Sequence, residues 1–163
     1  MTMTAAGHSV HARIDQQTDG PEKLYSAWSS GEVTERADLV CLLEEAWIRA
    51  VGDRPEQLLP ARRWVQLFRA AGFFKIPASL PDLAAPLVVY RGATEQRKRG
   101  MGWSVDIDVA REHQQRDNDL KLHGRLYKAT LVPGGALAYV NSFLQEQEVI
   151  VDPTYLRAIQ QIA

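Results

Sequence analysis

Leu87-Val88-Val89-Tyr90-Arg91-Gly92 decides the reading of the fold. It is a short run of β-branched and aromatic residues closed by a glycine, and it predicts a buried strand ending in a turn. Before it the apolar residues recur at helical spacing; after it the signals are mostly those of strands. On the N-terminal side, Gly20-Pro21 opens a helix in which Leu24, Ala27 and Trp28 share a face, with Gly31 as the stop. A second helix is predicted from Thr34 to Val51, with Leu39, Leu42, Leu43, Ala46, Trp47 and Ala50 on its apolar face. A third runs from Pro60 to Ala71, carries Trp64, Leu67 and Phe68, and ends at Gly72. The segment 73–86 holds Pro77, Pro81 and Pro86 and reads as a connector.

On the C-terminal side, Ala93 to Gly100 reads as a loop with the solvated basic run Arg97-Lys98-Arg99. Met101 to Val105 is a second strand, and Asp106 or Asp108 caps a helix to about Gln115. Arg116 to Gly124 reads as a loop, Arg125 to Val132 as a third strand, and Pro133-Gly134-Gly135 as a turn. A short apolar piece, Ala136 to Val140, precedes Gln145-Glu146-Gln147-Glu148-Val149-Ile150-Val151, a further strand. Thr154 to Ile162 is predicted as a closing helix, because Leu156, Ile159 and Ile162 recur at every third residue. Helices followed by strands define an α+β fold. The expected organisation is an arm, 1–19, read as disordered; a helical module, 20–76; and a strand-rich core, 77–163.

The chain has 163 residues, 45% of them hydrophobic and 24% charged, and a formal net charge of −1. That balance suits a globular protein and gives no global field directed at nucleic acid or an anionic membrane. Cys41 is the sole cysteine, so no intrachain disulfide forms. No apolar run approaches the roughly 20 residues of a membrane helix, and the N-terminal stretch lacks a signal core. A cytoplasmic home is the expectation. His8, His11, His113 and His123 have no metal-ligand spacing, and no metal site is expected.

Three groups could carry chemistry. An arginine at a strand end, Arg91, suits an oxyanion such as a diphosphate, because its planar fork binds bidentately. Ser104 beside Trp103 could hold a flat heteroaromatic ring by a hydroxyl contact and stacking. Glu146 and Glu148 fall on one face of a strand. A carboxylate there can bond a ribose hydroxyl and stabilise an oxocarbenium-like centre. Singly, each has an ordinary reading: an internal ion pair, a core tryptophan, a solvated strand end. Together they suit a dinucleotide whose glycosidic bond is broken. There is no Rossmann glycine fingerprint and no Walker A motif.

Aromatic-Arg-Gly on one strand, a serine on the next and Glu-x-Glu near the C-terminus resemble the three signatures of the arginine-serine-glutamate class of NAD-dependent mono-ADP-ribosyltransferases, the cholera-toxin-like class. Gly100-Met101-Gly102-Trp103-Ser104-Val105-Asp106 is similar to the second-strand motif of small bacterial and phage members. The resemblance spans about Leu87 to Pro153 and leaves the helical module uncovered. It implies an ADP-ribosyltransferase-like core with a split β-sheet, and NAD as co-substrate. Arg91 would hold the NAD phosphates and Ser104 would support the site. Glu148 would be the catalytic glutamate on the nicotinamide ribose, and Glu146 would orient or deprotonate the acceptor. Tyr90, Gly92 and Trp103 would line the NAD site. A glutamate at 146 implies a protein arginine as acceptor; nucleic acid is not indicated. Two features depart from the pattern. Gly102 stands where the first serine of the motif falls, and the helix after Ala110 continues with the polar Arg111-Glu112-His113-Gln114. NAD hydrolysis, with water as acceptor, and a catalytically silent binding module are the alternatives.

Overall fold

A computed structural model describes residues 20–50, 54–141 and 147–163. The chain is α+β, and its described residues divide into two compact units on either side of the Phe73–Phe74 bond; the arm expected at 1–19 lies outside the described residues. The division falls three residues before the expected boundary, because the segment after Phe73 joins the sheet.

The first unit holds α1 (Gly20–Ser29), α2 (Arg36–Ala50), a single turn α3 (Pro55–Leu58) and α4 (Ala61–Ala71). Its core is the apolar face read from the spacing. Trp47 meets Trp64 edge-on at 5.1 Å between ring centroids and Phe68 at 5.5 Å. Burying such rings removes large apolar areas from water, and the edge-on geometry adds a quadrupole contribution. Trp64 Nε1–H donates to the Pro55 carbonyl at 2.8 Å, so the turn α3 caps the core. Gly72, at φ +68, ends α4, and Arg36 donates to the Ala71 and Phe73 carbonyls at that end. A cation at a helix C-terminus is favoured by the helix dipole.

The second unit is one seven-stranded sheet with a helix. The strands are β1 (Phe74–Ile76), β2 (Leu87–Ala93), β3 (Gly102–Ser104), β4 (Arg125–Leu131), β5 (Ala136–Asn141), β6 (Gln147–Val151) and β7 (Leu156–Gln161). Their order across the sheet is β1-β5-β6-β3-β2-β4-β7. β1 runs parallel to β5; every other neighbouring pair is antiparallel. The helix α5 (Ile107–Asp119) joins β3 to β4 and packs on β2, which lies between them. One face of the sheet supplies the core: Val89, Trp103, Tyr127, Ala129, Leu131, Tyr139, Val149, Val151 and Leu156, with Leu80 of the connector. Residues 89, 127, 129, 131, 149 and 151 are spaced by two along their strands. The strand read as buried, β2, is buried on this face only, since Val88 on its other face is 41% exposed, and it runs on past Gly92 to Ala93.

Two readings of the sequence are corrected. The connector contains a strand, β1, too short and too close to Pro77 to show alternation. The expected C-terminal helix is a 3-10 turn (Pro153–Tyr155) followed by β7. Ala158 sits at φ +51, and the β4–β7 register shifts between Lys128 and Thr130. A bulge of this kind changes which face the following residues present. Leu156 and Ile159 therefore both pack on the core although they are three apart, which is the spacing of a helix. In addition, α5 runs to Asp119, four residues beyond the predicted end. Among the described residues, no helix is long and apolar enough to cross a membrane.

Candidate functional site

The site assembles where β2, β3 and β6 lie side by side. Tyr90 is the register partner of Ser104, and Ser104 is the partner of Glu148. Register partners project from the same face. Phenol, hydroxyl and carboxylate thus stand in one row across three adjacent strands, although Glu148 is 58 residues from Tyr90.

The Tyr90–Ser104 pair is the single register pair between β2 and β3. Beyond it the strands no longer ladder, and the Arg91 side chain crosses the gap. Its Nη1 donates to the Gly102 carbonyl and its Nε to the Arg97 carbonyl at 3.0 Å. These two bonds orient the guanidinium. The Arg97 carbonyl is held in turn: Arg97 Nη2 pairs with Asp117 of α5 at 2.8 Å, and Nε donates to Thr94 Oγ1 at 3.2 Å. Glu95 in the same turn accepts Tyr127 O–H at 2.7 Å and Lys98 at 2.5 Å. Burial and the Glu95 carboxylate push the Tyr127 phenol up to about 12. The basic run read as a solvated loop is thus partly built into the support of Arg91. Nothing in the spacing of Arg97 and Asp117, 20 residues apart, signals that pairing.

Gly102 sits at the centre of this arrangement. A Cβ there would lie 2.1 Å from Glu148 Oε1 and 3.6 Å from Arg91 Nη1. The carboxylate occupies the space a side chain at 102 would take, and the guanidinium borders that space. Both site charges are therefore within a few ångströms of one point on β3. Ser104 is 5% exposed; its Oγ accepts the Asp106 N–H at 3.0 Å, and Asp106 in turn caps α5 through Asp108 N–H. The serine that the sequence points to is thereby tied to the start of the helix, and its own hydroxyl proton remains to be donated.

Other predicted site residues stand differently. Trp103 is 2% exposed, lies in the core cluster, and donates Nε1–H to the Gly100 carbonyl at 2.8 Å. Its ring faces the core and offers no stacking surface. Tyr90, half-buried on the opposite face, is the aromatic group in the row. Gly92 has a packing reason to lack a side chain: a Cβ there would lie 2.1 Å from the Ala110 carbonyl oxygen and 2.3 Å from Gln114 N. Glu146 lies outside the described residues. Next to that segment, Tyr139 O–H donates to Gln147 Oε1 at 2.5 Å, and Asn141 Oδ1 is buried with no hydrogen-bond partner among the described residues. No group of three or more His, Cys, Asp or Glu able to hold a metal ion is found among the described residues.

Comparison of the chain with protein-family models, with characterised proteins and with solved structures found no match.

Proposed function

We propose that the second unit is an NAD-dependent mono-ADP-ribosyltransferase, built on one continuous sheet rather than the split sheet that the resemblance implies, and that its acceptor is a protein, through an arginine. The observation that carries this reading is the convergence of Arg91, Ser104 and Glu148 around Gly102 from three strands separated in sequence. An oriented guanidinium suits the two phosphates of NAD, which it can bind as a charged fork. Glu148 bonds a hydroxyl of the nicotinamide ribose. When the glycosidic bond breaks, its electron pair leaves with nicotinamide, and positive charge develops on the ribose carbon. A carboxylate fixed beside that carbon stabilises the charge where it forms. The acceptor nitrogen then bonds the carbon and loses a proton, for which Glu146 is the base.

The test is nicotinamide release from NAD by the purified chain. Glu148→Gln keeps the size of the side chain and one acceptor oxygen but removes its charge. It lowers the rate by about 10²–10³-fold, the usual scale for one electrostatic contact at a transition state, with an unchanged circular dichroism spectrum. Turnover at the wild-type rate in that variant refutes the assignment. Labelled ADP-ribose on a protein band, rather than free in solution, establishes transfer over hydrolysis.

A second reading is a catalytically silent binding module. What favours it is the closed geometry: Glu148 Oε1 fills the space above Gly102, and Arg91 is engaged with two backbone carbonyls. Absence of any Tm increase with millimolar NAD decides for this reading, since a ligand that binds the native state must raise Tm.

A further inference from the structure

The row of Glu148, Ser104 and Tyr90 continues one strand further. Tyr90 is the register partner of Lys128 on β4. Carboxylate, hydroxyl, phenol and ammonium thus stand in line on one face of β6, β3, β2 and β4. Three strand spacings separate the ends, on the order of 14 Å. This part of the face is open. Val88, two residues before Tyr90, is 41% exposed, and its partner Thr130 is half-buried. The opposite face of the same strands, Val89, Ala129 and Leu131, is fully in the core. At the far end of β2 the shelf is closed by α5, whose backbone abuts Gly92.

Lys128 is half-buried in the middle of a strand, where lysine is disfavoured. No hydrogen bond or ion pair to it is found among the described residues. A half-buried lysine paired across strands with a tyrosine, on an open sheet face, is matched by an anion carried on a flat or ring-bearing group.

We propose that Lys128 is a second anion contact, on this face, and shares the diphosphate of a nucleotide with Arg91, with Tyr90 packing against the adjoining sugar or base. The choice of a diphosphate over other anions rests on the transferase reading of the same row. The row then has a division of labour: bond-breaking at the Glu148 end, and anchoring of the nucleotide at the Lys128 end.

The experiment is titration calorimetry of ADP into the full chain at low salt, with AMP and inorganic pyrophosphate as separate ligands. The wild type binds ADP more tightly than AMP. Lys128→Gln weakens ADP about tenfold, the loss expected for one charge-assisted hydrogen bond, while Lys128→Arg retains most of the affinity. Lys121→Gln, which removes the same charge in the exposed turn after α5, leaves ADP binding unchanged. Circular dichroism checks that each variant is folded. Equal ADP affinity in Lys128→Gln and wild type, or no ADP binding by the wild type, overturns the proposal. So does an equal loss in Lys121→Gln, which would mean general attraction rather than a site. Pyrophosphate binding as tightly as ADP overturns the nucleotide part, because Tyr90 would then add nothing. The readout is binding, not turnover, so the two readings fail separately. ADP binding through Lys128 without nicotinamide release refutes the transferase and keeps this assignment. Nicotinamide release with Lys128-independent ADP binding does the reverse.

Discussion

Gly102→Ala is the most informative perturbation of the site. The new Cβ arrives 2.1 Å from Glu148 Oε1, 3.2 Å from its Cδ and 3.6 Å from Arg91 Nη1. The first distance is impossible, so the carboxylate must move. It is the far end of a flexible side chain, and no backbone atom is among these nearest neighbours. Inserting a methyl group into rigid surroundings costs about 1–3 kcal/mol; here the cost falls at the low end. Replacing glycine within a strand returns about 0.5–1 kcal/mol of conformational entropy. The two nearly cancel. The expected stability is within about 1 kcal/mol of wild type, a Tm change of about 2–4 °C at most for a chain of this size. Urea and thermal unfolding measure this. Gly102→Ser makes the same displacement but places a hydroxyl next to the carboxylate; under the proposed transferase function it raises nicotinamide release above wild type while Gly102→Ala does not. A loss of more than about 3 kcal/mol in Gly102→Ala would refute the reasoning, because it would mean that Glu148 is locked in place rather than resting there.

Two further predictions use the same structure. Gly92→Ala destabilises by about 3 kcal/mol or more, because its Cβ meets the Ala110 carbonyl oxygen and Gln114 N, backbone atoms that yield only if α5 shifts; urea unfolding shows it, and a neutral result would refute the close β2–α5 contact. The Tyr127 phenol, pushed up to about 12 by burial and Glu95, gives an alkaline signature. Below pH 10 its contribution is fully present. Above it the unfolded chain loses the proton first, so stability falls as pH rises from 10 towards 12. Tyr127→Phe lessens that slope, leaving the share of Tyr139, whose phenol burial also pushes up; unfolding at pH 9, 10 and 11 measures it.

Much of the fold was legible because period and burial agree. The faces of α2 and α4 and the positions of β2, β4 and β6 could be read off the chain; that β2 is buried on one face only, with Val88 exposed, could not. What stayed hidden depended on partners. β7 carries a bulge at Ala158 that puts Leu156 and Ile159 on one side, so its pattern imitates a helix. Lys75 interrupts the three residues of β1, and only pairing with β5 makes them a strand. At the site, Arg91, Ser104 and Glu148 could be named from their residue types and order; cross-strand register brings Ser104 and Glu148 together, and Arg91 reaches β3 through its side chain. Trp103 could not be told from a ligand platform, because both roles need an aromatic on that strand and only the face decides. The support given by Arg97, Asp117 and Glu95 is a matter of how a loop folds back, and Lys128 enters only through its register with Tyr90.

The single pair between β2 and β3 has a mechanical consequence. Every neighbouring strand on either side is joined by at least three register pairs, so the sheet is two stiff plates meeting at a seam. At that seam a side chain does part of the work of the missing ladder, because Arg91 donates to the Gly102 carbonyl from across the gap. A bound anion that draws the guanidinium away from that carbonyl unfastens a stitch of the sheet itself. Under the proposed function, occupancy of the site and flexure of the plates become one coupled event, and protection of the seam amides against hydrogen exchange is the gauge that reads it.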